Sequence, residues 1–275
     1  MIIMNKNYET EESSMFSYED RCVYRTNPLA EVICQLRFPE ILKIEAQLPV
    51  AFQEAIRDEY PQYSTRKETP APKLSGTPGN MQLQKQEPVN NYQFVSGDGI
   101  WRVNMTSTFI SLSCNQYTCW EDFAQKLDKP LAAFIKTYQP AYFDRVGLRF
   151  LNFISRKDLG LEGTPYKELI QPCYLGLLAD DDVSEAGITR CGIDVETAIR
   201  GGCRVKIHAG PGMVKRNGKP DNEIKFVFDQ DLYMPGRVPV NHSAGALQTL
   251  HAQADSIFRG AITSALHDAM EPEKI

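Results

Sequence analysis

The chain has 275 residues, of which 42% are hydrophobic and 24% are charged. These values are ordinary for a globular protein and exclude collagen, a coiled coil and wholesale disorder. The 35 acidic and 30 basic residues leave a formal net charge of -5, so nucleic-acid binding is not favoured by net charge and would need a local basic patch. The length predicts one large domain or two small ones.

Residues 1–22 predict a flexible acidic leader, because they turn polar and acidic after a short apolar start. No stretch of the chain has the apolar length of a secretory signal or a membrane span. The seven cysteines are odd in number and scattered, which is typical of free thiols in a reducing compartment. We therefore expect a cytoplasmic protein with no membrane partner.

The first half of the predicted fold covers residues 23–140 and opens with a strand. Near its start, apolar side chains alternate with Glu31, Gln35 and Arg37, as in a half-buried strand. Residues 64–91 are rich in Pro, Gly, Lys and Gln and predict a long excursion. The predicted elements are, in chain order, a strand at 29–38, a helix at 45–60, strands at 81–84, 92–95, 101–106 and 109–114, and a helix at 120–138 that Pro130 kinks or splits.

The second half, residues 141–275, shows a similar succession of patterns. Gly201-Gly202 and Asn217-Gly218 mark turns between its strands. The predicted elements are a strand at 142–154, a short helix near 166–170, strands at 188–199, 203–209 and 223–231, and a long amphipathic helix at 244–270.

The grouping of strands between helices indicates an α+β fold. Both halves run strand, helix, antiparallel strands and long helix, and both leading strands contain Leu-Arg-Phe, at residues 36–38 and 148–150. We therefore predict two similar units, related as a degenerate tandem repeat that shares one core.

Five segments occur in an order that carries a family resemblance: NPLAEVICQLRFPEI, IRDEYP, NQYTCWEDF, RVGLRFLNFI and FVFDQDLY. Together they resemble a sporadically distributed family of uncharacterised bacterial proteins of about this length. Because that family has no established activity, the resemblance implies no catalytic residues. Its patchy distribution implies genes carried on mobile or defence islands.

Arginines on one strand face form the first candidate site. Arg145, Gly147 and Arg149 share a face of their strand, and the repeat makes Arg37 the counterpart of Arg149. Guanidinium groups grip phosphate bidentately, so these three arginines could bind a nucleotide or another anion. The alternative is a polar sheet face on which arginines pair with carboxylates across strands, and Glu31 is one candidate partner.

Four carboxylates and a lysine in the C-terminal half of the chain form the second candidate site. Asp194, Glu223, Lys225, Asp229 and Asp231 could serve a metal-dependent nuclease or phosphohydrolase, in which Asp229 and Asp231 would hold Mg²⁺ through oxygen ligands. The alternative is that acidic and basic strands neutralise one another on a solvated sheet face.

The chain contains neither a phosphate-binding P-loop nor a nucleophile elbow. Our leading hypothesis is therefore a non-catalytic interaction subunit of a multi-component bacterial system, such as anti-phage defence, that needs no cofactor. Its partners would be proteins encoded nearby or a second copy of the chain. The two alternatives are the Mg²⁺-dependent hydrolase and a nucleotide- or anion-binding sensor module.

Overall fold

The structure is a computed structural model that describes residues 15–69, 73–77, 80–216 and 219–274. Its strands are β1 (Cys22–Tyr24), β2 (Leu29–Arg37), β3 (Gln62–Glu68), β4 (Lys73–Thr77), β5 (Asn80–Gln84), β6 (Val89–Val95), β7 (Trp101–Met105), β8 (Phe109–Cys114), β9 (Phe143–Ile154), β10 (Ile193–Ala198), β11 (Arg204–Arg216), β12 (Lys219–Val238) and β13 (Pro272–Lys274). Its α-helices are α1 (Leu42–Ala46), α2 (Val50–Ile56), α3 (Trp120–Tyr138), α4 (Ser243–Ala261) and α5 (Ser264–Ala269).

Nine of these strands form one antiparallel sheet in the order β10-β11-β12-β9-β2-β8-β7-β6-β3. The hairpin β4-β5 and the pair β1-β13 stand apart from it. The predicted α+β class is confirmed. Among the helices of the described residues, none is long and apolar enough to cross a membrane.

The helices pack on one face of the sheet, where alternate side chains of each strand are buried. On β2 these are Val32, Cys34 and Leu36, which the alternation in the sequence predicts. Ring contacts join three of the helices to this side of the sheet: Phe52 of α2 to Phe94, Phe134 of α3 to Phe38, and Phe258 of α4 to Phe228, with centroids 5.2, 4.7 and 6.0 Å apart.

The opposite side of the sheet, which we call the open face, carries the intervening side chains and is mostly polar. The strand registers place on it Asp194 and Glu196; Arg204, Lys206 and His208; Asp229, Asp231 and Tyr233; Arg145, Gly147 and Arg149; Glu31, Gln35 and Arg37; Ser111 and Ser113; Arg102 and Asn104; Asn91 and Gln93; and Ser64 and Arg66.

Helix α3 is continuous through Pro130, although a proline at that position predicts a kink or a split. Proline has no N–H to donate to the carbonyl four residues earlier, which belongs to Lys126. The Tyr60 hydroxyl donates to that carbonyl instead, at 3.0 Å. The freed acceptor is therefore satisfied by a tertiary contact, and the helix continues.

Two predicted helices are each broken in two. The helix expected over 45–60 is α1 and α2, because Pro49 begins the second helix and disfavours helical geometry at the residue before it. The helix expected over 244–270 is α4 and α5. Between them Ile262 is extended and forms a bridge with Ile170, and the Thr263 side chain caps α5.

Segment 64–91 contains more regular structure than a long excursion would. Most of it belongs to β3, to the hairpin β4-β5 and to β6, and the strand expected at 81–84 lies within β5. Strand β3 carries polar residues at nearly every position and forms because it pairs with β6 at the sheet edge. The predicted turn at Asn217-Gly218 lies outside the described residues.

The end of the predicted leader is packed rather than flexible. The backbone N–H of Ser17 donates to the Ser256 carbonyl at 2.9 Å, and the Ser256 hydroxyl donates to the Ser17 carbonyl at 2.6 Å. Strand β1 then pairs with β13. Residues 1–14 lie outside the described part of the chain.

The two halves of the chain meet at the centre of the sheet. Strand β2 pairs with β9, and outward from this pair the orders are β2-β8-β7-β6 and β9-β12-β11-β10. Buried residues from both halves form one hydrophobic cluster. The boundary expected near residue 140 therefore divides the sequence but not the core.

Candidate functional site

The open face brings the predicted arginines and two of the predicted carboxylates together. Strand β12 lies between β9 and β11, and the register sets Asp231 opposite Arg149 on one side and Lys206 on the other. Asp229, two residues away, is opposite His208. Charges of opposite sign therefore alternate from strand to strand.

Each arginine of β9 binds an aspartate of β12 diagonally. Arg149 donates from Nε and Nη2 to the two carboxylate oxygens of Asp229, at 2.8 and 2.5 Å. Arg145 donates from Nη2 to both oxygens of Asp231, at 2.6 and 2.8 Å. The hydrogen bond to Asp229 raises the pKa of the Arg149 guanidinium above its usual value. Glu31, the partner considered from the sequence, is not the acid that binds Arg149.

Gly147 leaves the space in which the Arg145 side chain lies. A Cβ atom at position 147 would overlap the Arg145 guanidinium. That guanidinium also lies over the Tyr233 ring, 4.6 Å from its centroid. The glycine, the tyrosine and Asp231 therefore fix Arg145 against the sheet.

The outer strands of this region continue the charge pairing. Glu196 lies 3.5 Å from both Arg204 and Lys206 and accepts a hydrogen bond from the Tyr233 hydroxyl. That hydrogen bond lowers the pKa of the Glu196 carboxyl. Asp194 lies 2.7 Å from His208 Nδ1. The second half of the open face therefore neutralises its own charges.

Two members of the carboxylate candidate, Glu223 and Lys225, lie elsewhere on β12. Glu223 is six residues from Asp229 along β12, a separation of about 20 Å in an extended strand. It accepts hydrogen bonds from the Ser155 hydroxyl at 2.7 Å and from the backbone N–H of Lys157 at 3.1 Å.

Lys225 likewise has a local partner, since its ammonium lies 2.8 Å from Asp221. The structure therefore does not gather Glu223 and Lys225 around the two aspartates, whereas Asp194 lines the same open-face cleft as Asp229 and Asp231. Within the described ranges, no group of three or more His, Cys, Asp or Glu side chains could hold a metal ion.

The first half of the open face differs, because its arginines have no acidic partner among the described residues. Arg37, Arg66 and Arg102 are exposed, and none of the three makes an ion pair or a side-chain hydrogen bond with another described residue. We call these three residues the arginine surface. Between them lie mostly short polar side chains, namely Gln35, Gln93, Asn104, Ser111 and Ser113, together with the ring of Phe109 opposite Arg37. Glu68 shares the strand face of Arg66 but accepts its hydrogen bond from Asn91.

A second polar site lies on the helix side and was missed by sequence reasoning. It is a small pocket to which Arg21, Tyr117, Gln230, His251 and Asp255 contribute. The sequence held one signal for this site. His251 and Asp255 are four residues apart beside the apolar stripe of the last long helix, so they share a helix face.

Comparisons of the chain with protein-family models and with curated proteins give no match. The resemblance carried by the five sequence segments therefore stays a prediction.

Proposed function

We propose that the protein is a non-catalytic interaction subunit that docks an acidic protein partner on its open face. The observation that carries this proposal is the arginine surface. Arg37, Arg66 and Arg102 are exposed cations without acidic partners among the described residues, in a chain whose net charge is -5. Such cations favour a partner that supplies carboxylates, because complementary charge steers association and fixes its register.

The spacing of these arginines suits a broad surface better than a small ligand. Arg37 and Arg66 are separated by four strand spacings, because β8, β7 and β6 lie between their strands. At about 4.8 Å per spacing this is roughly 19 Å. A single phosphate cannot bridge that distance, whereas a protein interface of about 800 Å² per partner covers it.

A single-stranded nucleic acid is the less favoured macromolecule. Such ligands rely on exposed aromatic rings on which bases stack. Between the three arginines the open face carries mostly amide and hydroxyl side chains, with one largely covered ring, Phe109, opposite Arg37. The strongly exposed aromatic residues of the described ranges, Tyr18 and Tyr63, are not among the open-face residues. The surface therefore offers charge and hydrogen bonds rather than stacking.

The ion pairs on the second half of the open face argue against the two alternative functions, a nucleotide-binding sensor and a Mg²⁺-dependent hydrolase. A nucleotide would have to displace Asp229 and Asp231 from Arg149 and Arg145, and Mg²⁺ would have to displace the arginines from the same carboxylates. Each exchange breaks charge-assisted hydrogen bonds, which are among the stronger contacts in proteins.

The proposed setting is the cytoplasm of a bacterium, as part of a multi-component system such as anti-phage defence. All seven cysteines are free thiols, which fits a reducing compartment. The defence setting itself rests on the family resemblance. The partner would be a protein encoded nearby, and a second copy of the chain is the other occupant that the experiment distinguishes.

We also propose that the two halves are a degenerate tandem repeat. Support comes from the matching strand orders on either side of the β2-β9 pair. When the two Leu-Arg-Phe segments are aligned, Gln35 corresponds to Gly147, and these two residues are direct partners in the register. An experimental structure in which either half has another strand order would refute the repeat.

The docking proposal is tested by reversing the charge of the arginine surface. The variant Arg37→Glu/Arg66→Glu/Arg102→Glu is compared with wild type by affinity capture from the native host and mass spectrometry. A matched control reverses three exposed cations outside the open face, Lys43→Glu/Arg190→Glu/Lys274→Glu. The partner is then purified, and its affinity for all three proteins is measured at several salt concentrations.

We expect the triple arginine variant to weaken partner binding by at least about tenfold, since each repulsive contact opposes association, and the control to bind as wild type does. Binding that both variants retain equally would refute the docking site. A self-association that only the arginine variant abolishes would identify a second copy as the occupant and refute a separate acidic partner.

A further inference from the structure

A small pocket opens on the helix side of the sheet, between β1, the segment before α3, and α4. Its volume is about 70 Å³, roughly half that of an engineered cavity of about 150 Å³ that binds benzene. It therefore has room for a ligand of a few non-hydrogen atoms. The residues that line it come from both halves of the chain.

Two hydrogen-bond acceptors of this pocket have no donor among the described residues. Gln230 is 2% exposed, and its Nε2 donates to the Ala254 carbonyl at 3.2 Å, but its Oε1 is buried without a partner. The Asp255 carboxylate makes no hydrogen bond or ion pair with any described residue. Buried polar atoms are nearly always satisfied in native proteins, so Gln230 Oε1 indicates a missing donor, and the half-buried Asp255 carboxylate of the same pocket could accept from that donor too.

The neighbouring cation interacts with Asp255 through space but makes its hydrogen bonds to another carboxylate. Arg21 also lines the pocket, but its guanidinium donates to both carboxylate oxygens of Glu121, at 2.7 and 3.1 Å. His251 is uncharged at neutral pH, because burial lowers its pKa to about 4. The pocket therefore contains one carboxylate in excess of its fixed positive charges.

Aromatic rings form the apolar wall of the pocket. Tyr24 meets Phe258 edge to face with centroids 6.1 Å apart, and Tyr117 meets Phe150 in the same way at 6.3 Å. The Tyr24 hydroxyl is already bonded to His267 Nδ1 at 2.9 Å. Aromatic rings beside a carboxylate form an environment that attracts organic cations.

We propose that this pocket binds the ammonium group of a small alkylamine. The ammonium would donate to the Asp255 carboxylate and to Gln230 Oε1, and its alkyl chain would lie against the rings of Tyr24 and Tyr117. Three N–H donors and one positive charge match two vacant acceptors and one unbalanced carboxylate. An anion would be repelled by Asp255, and an alcohol offers one donor for two acceptors.

Ethylammonium chloride is the probe, because its three non-hydrogen atoms fit the pocket. A ligand of that size binds no more tightly than about the millimolar range. Binding is measured by calorimetry and by the shift in Tm, with sodium chloride at equal ionic strength and with ethanol as the neutral probe of similar size. We expect saturable binding and a raised Tm with ethylammonium alone.

The variant Asp255→Asn keeps the shape of the side chain and removes its charge, so we expect affinity to fall at least tenfold. Asp268→Asn is the matched control, since Asp268 is exposed outside the pocket, and it should bind as wild type does. Ala254→Val narrows the pocket at unchanged charge and should also abolish binding, which provides a second variant if Asp255→Asn does not fold.

Three results would overturn the proposal. The first is the absence of saturable binding to wild type through the millimolar range. The second is equal binding of ethanol and ethylammonium, which would make the ligand a neutral donor. The third is unchanged affinity in whichever of Asp255→Asn and Ala254→Val retains the wild-type fold. The open face takes no part in these measurements, so their outcome is independent of the docking proposal.

Discussion

Arg145 and Arg149 make the same kind of contact, but their surroundings differ. The Arg145 side chain is 19% exposed and the Arg149 side chain 46%. Arg145 also lies over Tyr233. The alternation of the strand places both residues on one face, whereas the identity of their partners depends on the register of β12, which no periodicity reveals.

Replacing Arg145 should therefore destabilise the fold more than replacing Arg149. We expect Arg145→Ala to lower the free energy of unfolding by about 2 kcal/mol and Arg149→Ala by about 1 kcal/mol, because solvent screens the more exposed pair. Urea unfolding of the single variants, and of each in combination with Asp231→Ala or Asp229→Ala, measures the two pair energies. Equal losses for both arginines would contradict this order.

The pocket histidine makes stability depend on pH. His251 is 7% exposed and stacks on Trp120 with centroids 4.6 Å apart. Burial, with a smaller contribution from Arg21, lowers its pKa from 6.5 to about 4. The unfolded chain therefore binds the proton more readily than the folded chain does. The contribution of neutral His251 to the free energy of unfolding is fully present above pH 6.5. It is lost as the pH falls from 6.5 towards 4.

His251→Gln should remove most of this acid sensitivity, which amounts to about 3 kcal/mol at most. Asp255 changes stability with pH in the opposite direction. Burial raises the pKa of its carboxyl, so its protonation at low pH favours the folded state. Urea unfolding across this pH range is compared for wild type, His251→Gln and the exposed control His242→Gln. The interpretation is wrong if the control and His251→Gln show the same pH dependence.

At the scale of elements, α3 shows how a tertiary contact replaces a helical hydrogen bond. Pro130 leaves the Lys126 carbonyl without its helical donor, and Tyr60, 1% exposed, supplies one from the end of the preceding helix region. The proline in the sequence predicted a disrupted helix. The compensating donor, the Tyr60 hydroxyl, lies about seventy residues before Pro130 in the chain. A local sequence pattern therefore does not reveal it.

This arrangement predicts a coupling between two substitutions. Tyr60→Phe should cost about 1–3 kcal/mol in wild type, because it leaves a buried carbonyl unsatisfied. In the background of Pro130→Ala the same substitution should cost less, since the N–H of the new alanine can donate to Lys126. Free energies of unfolding of the two single variants and the double variant form the test. Additive losses would show that the tyrosine does not compensate for the proline.

Elements with strong periodicity were predicted well, and elements defined by their neighbours were not. The apolar stripe of α3 and the alternation in β2 place these two elements within about a residue of their observed bounds. Strand β3 has no alternation, because nearly all of its residues are exposed. It is a strand because its backbone pairs with that of β6. That pairing exists only in the assembled sheet and leaves no pattern in the sequence of β3.

At the scale of the whole molecule, the central pairing of β2 with β9 joins the two halves into one sheet and one core. The class and the antiparallel strands followed from the sequence. The order of the strands did not, because it depends on which strands meet at the centre. A boundary near residue 140 therefore does not predict independent unfolding.

A substitution in the second half should destabilise both halves together. Phe228 is 1% exposed, and Phe228→Ala should cost about 3–5 kcal/mol by leaving a cavity. Both tryptophans, Trp101 and Trp120, lie in the first half and report on its unfolding. We expect tryptophan fluorescence and far-ultraviolet circular dichroism to show one coincident transition that shifts as a whole. A fluorescence midpoint that stays at its wild-type position would indicate separate folding units.

The pairing of β1 with β13 also sets the order of events during synthesis. Cys22 is the partner of Lys274, so this ladder cannot close until residue 274 has left the ribosome. At about 5–20 residues per second, the first strand waits some tens of seconds for the last. Because β1 lines the small pocket, the pocket is completed only after translation of the last strand. A nascent chain can build its central sheet earlier, but this pocket stays incomplete until then.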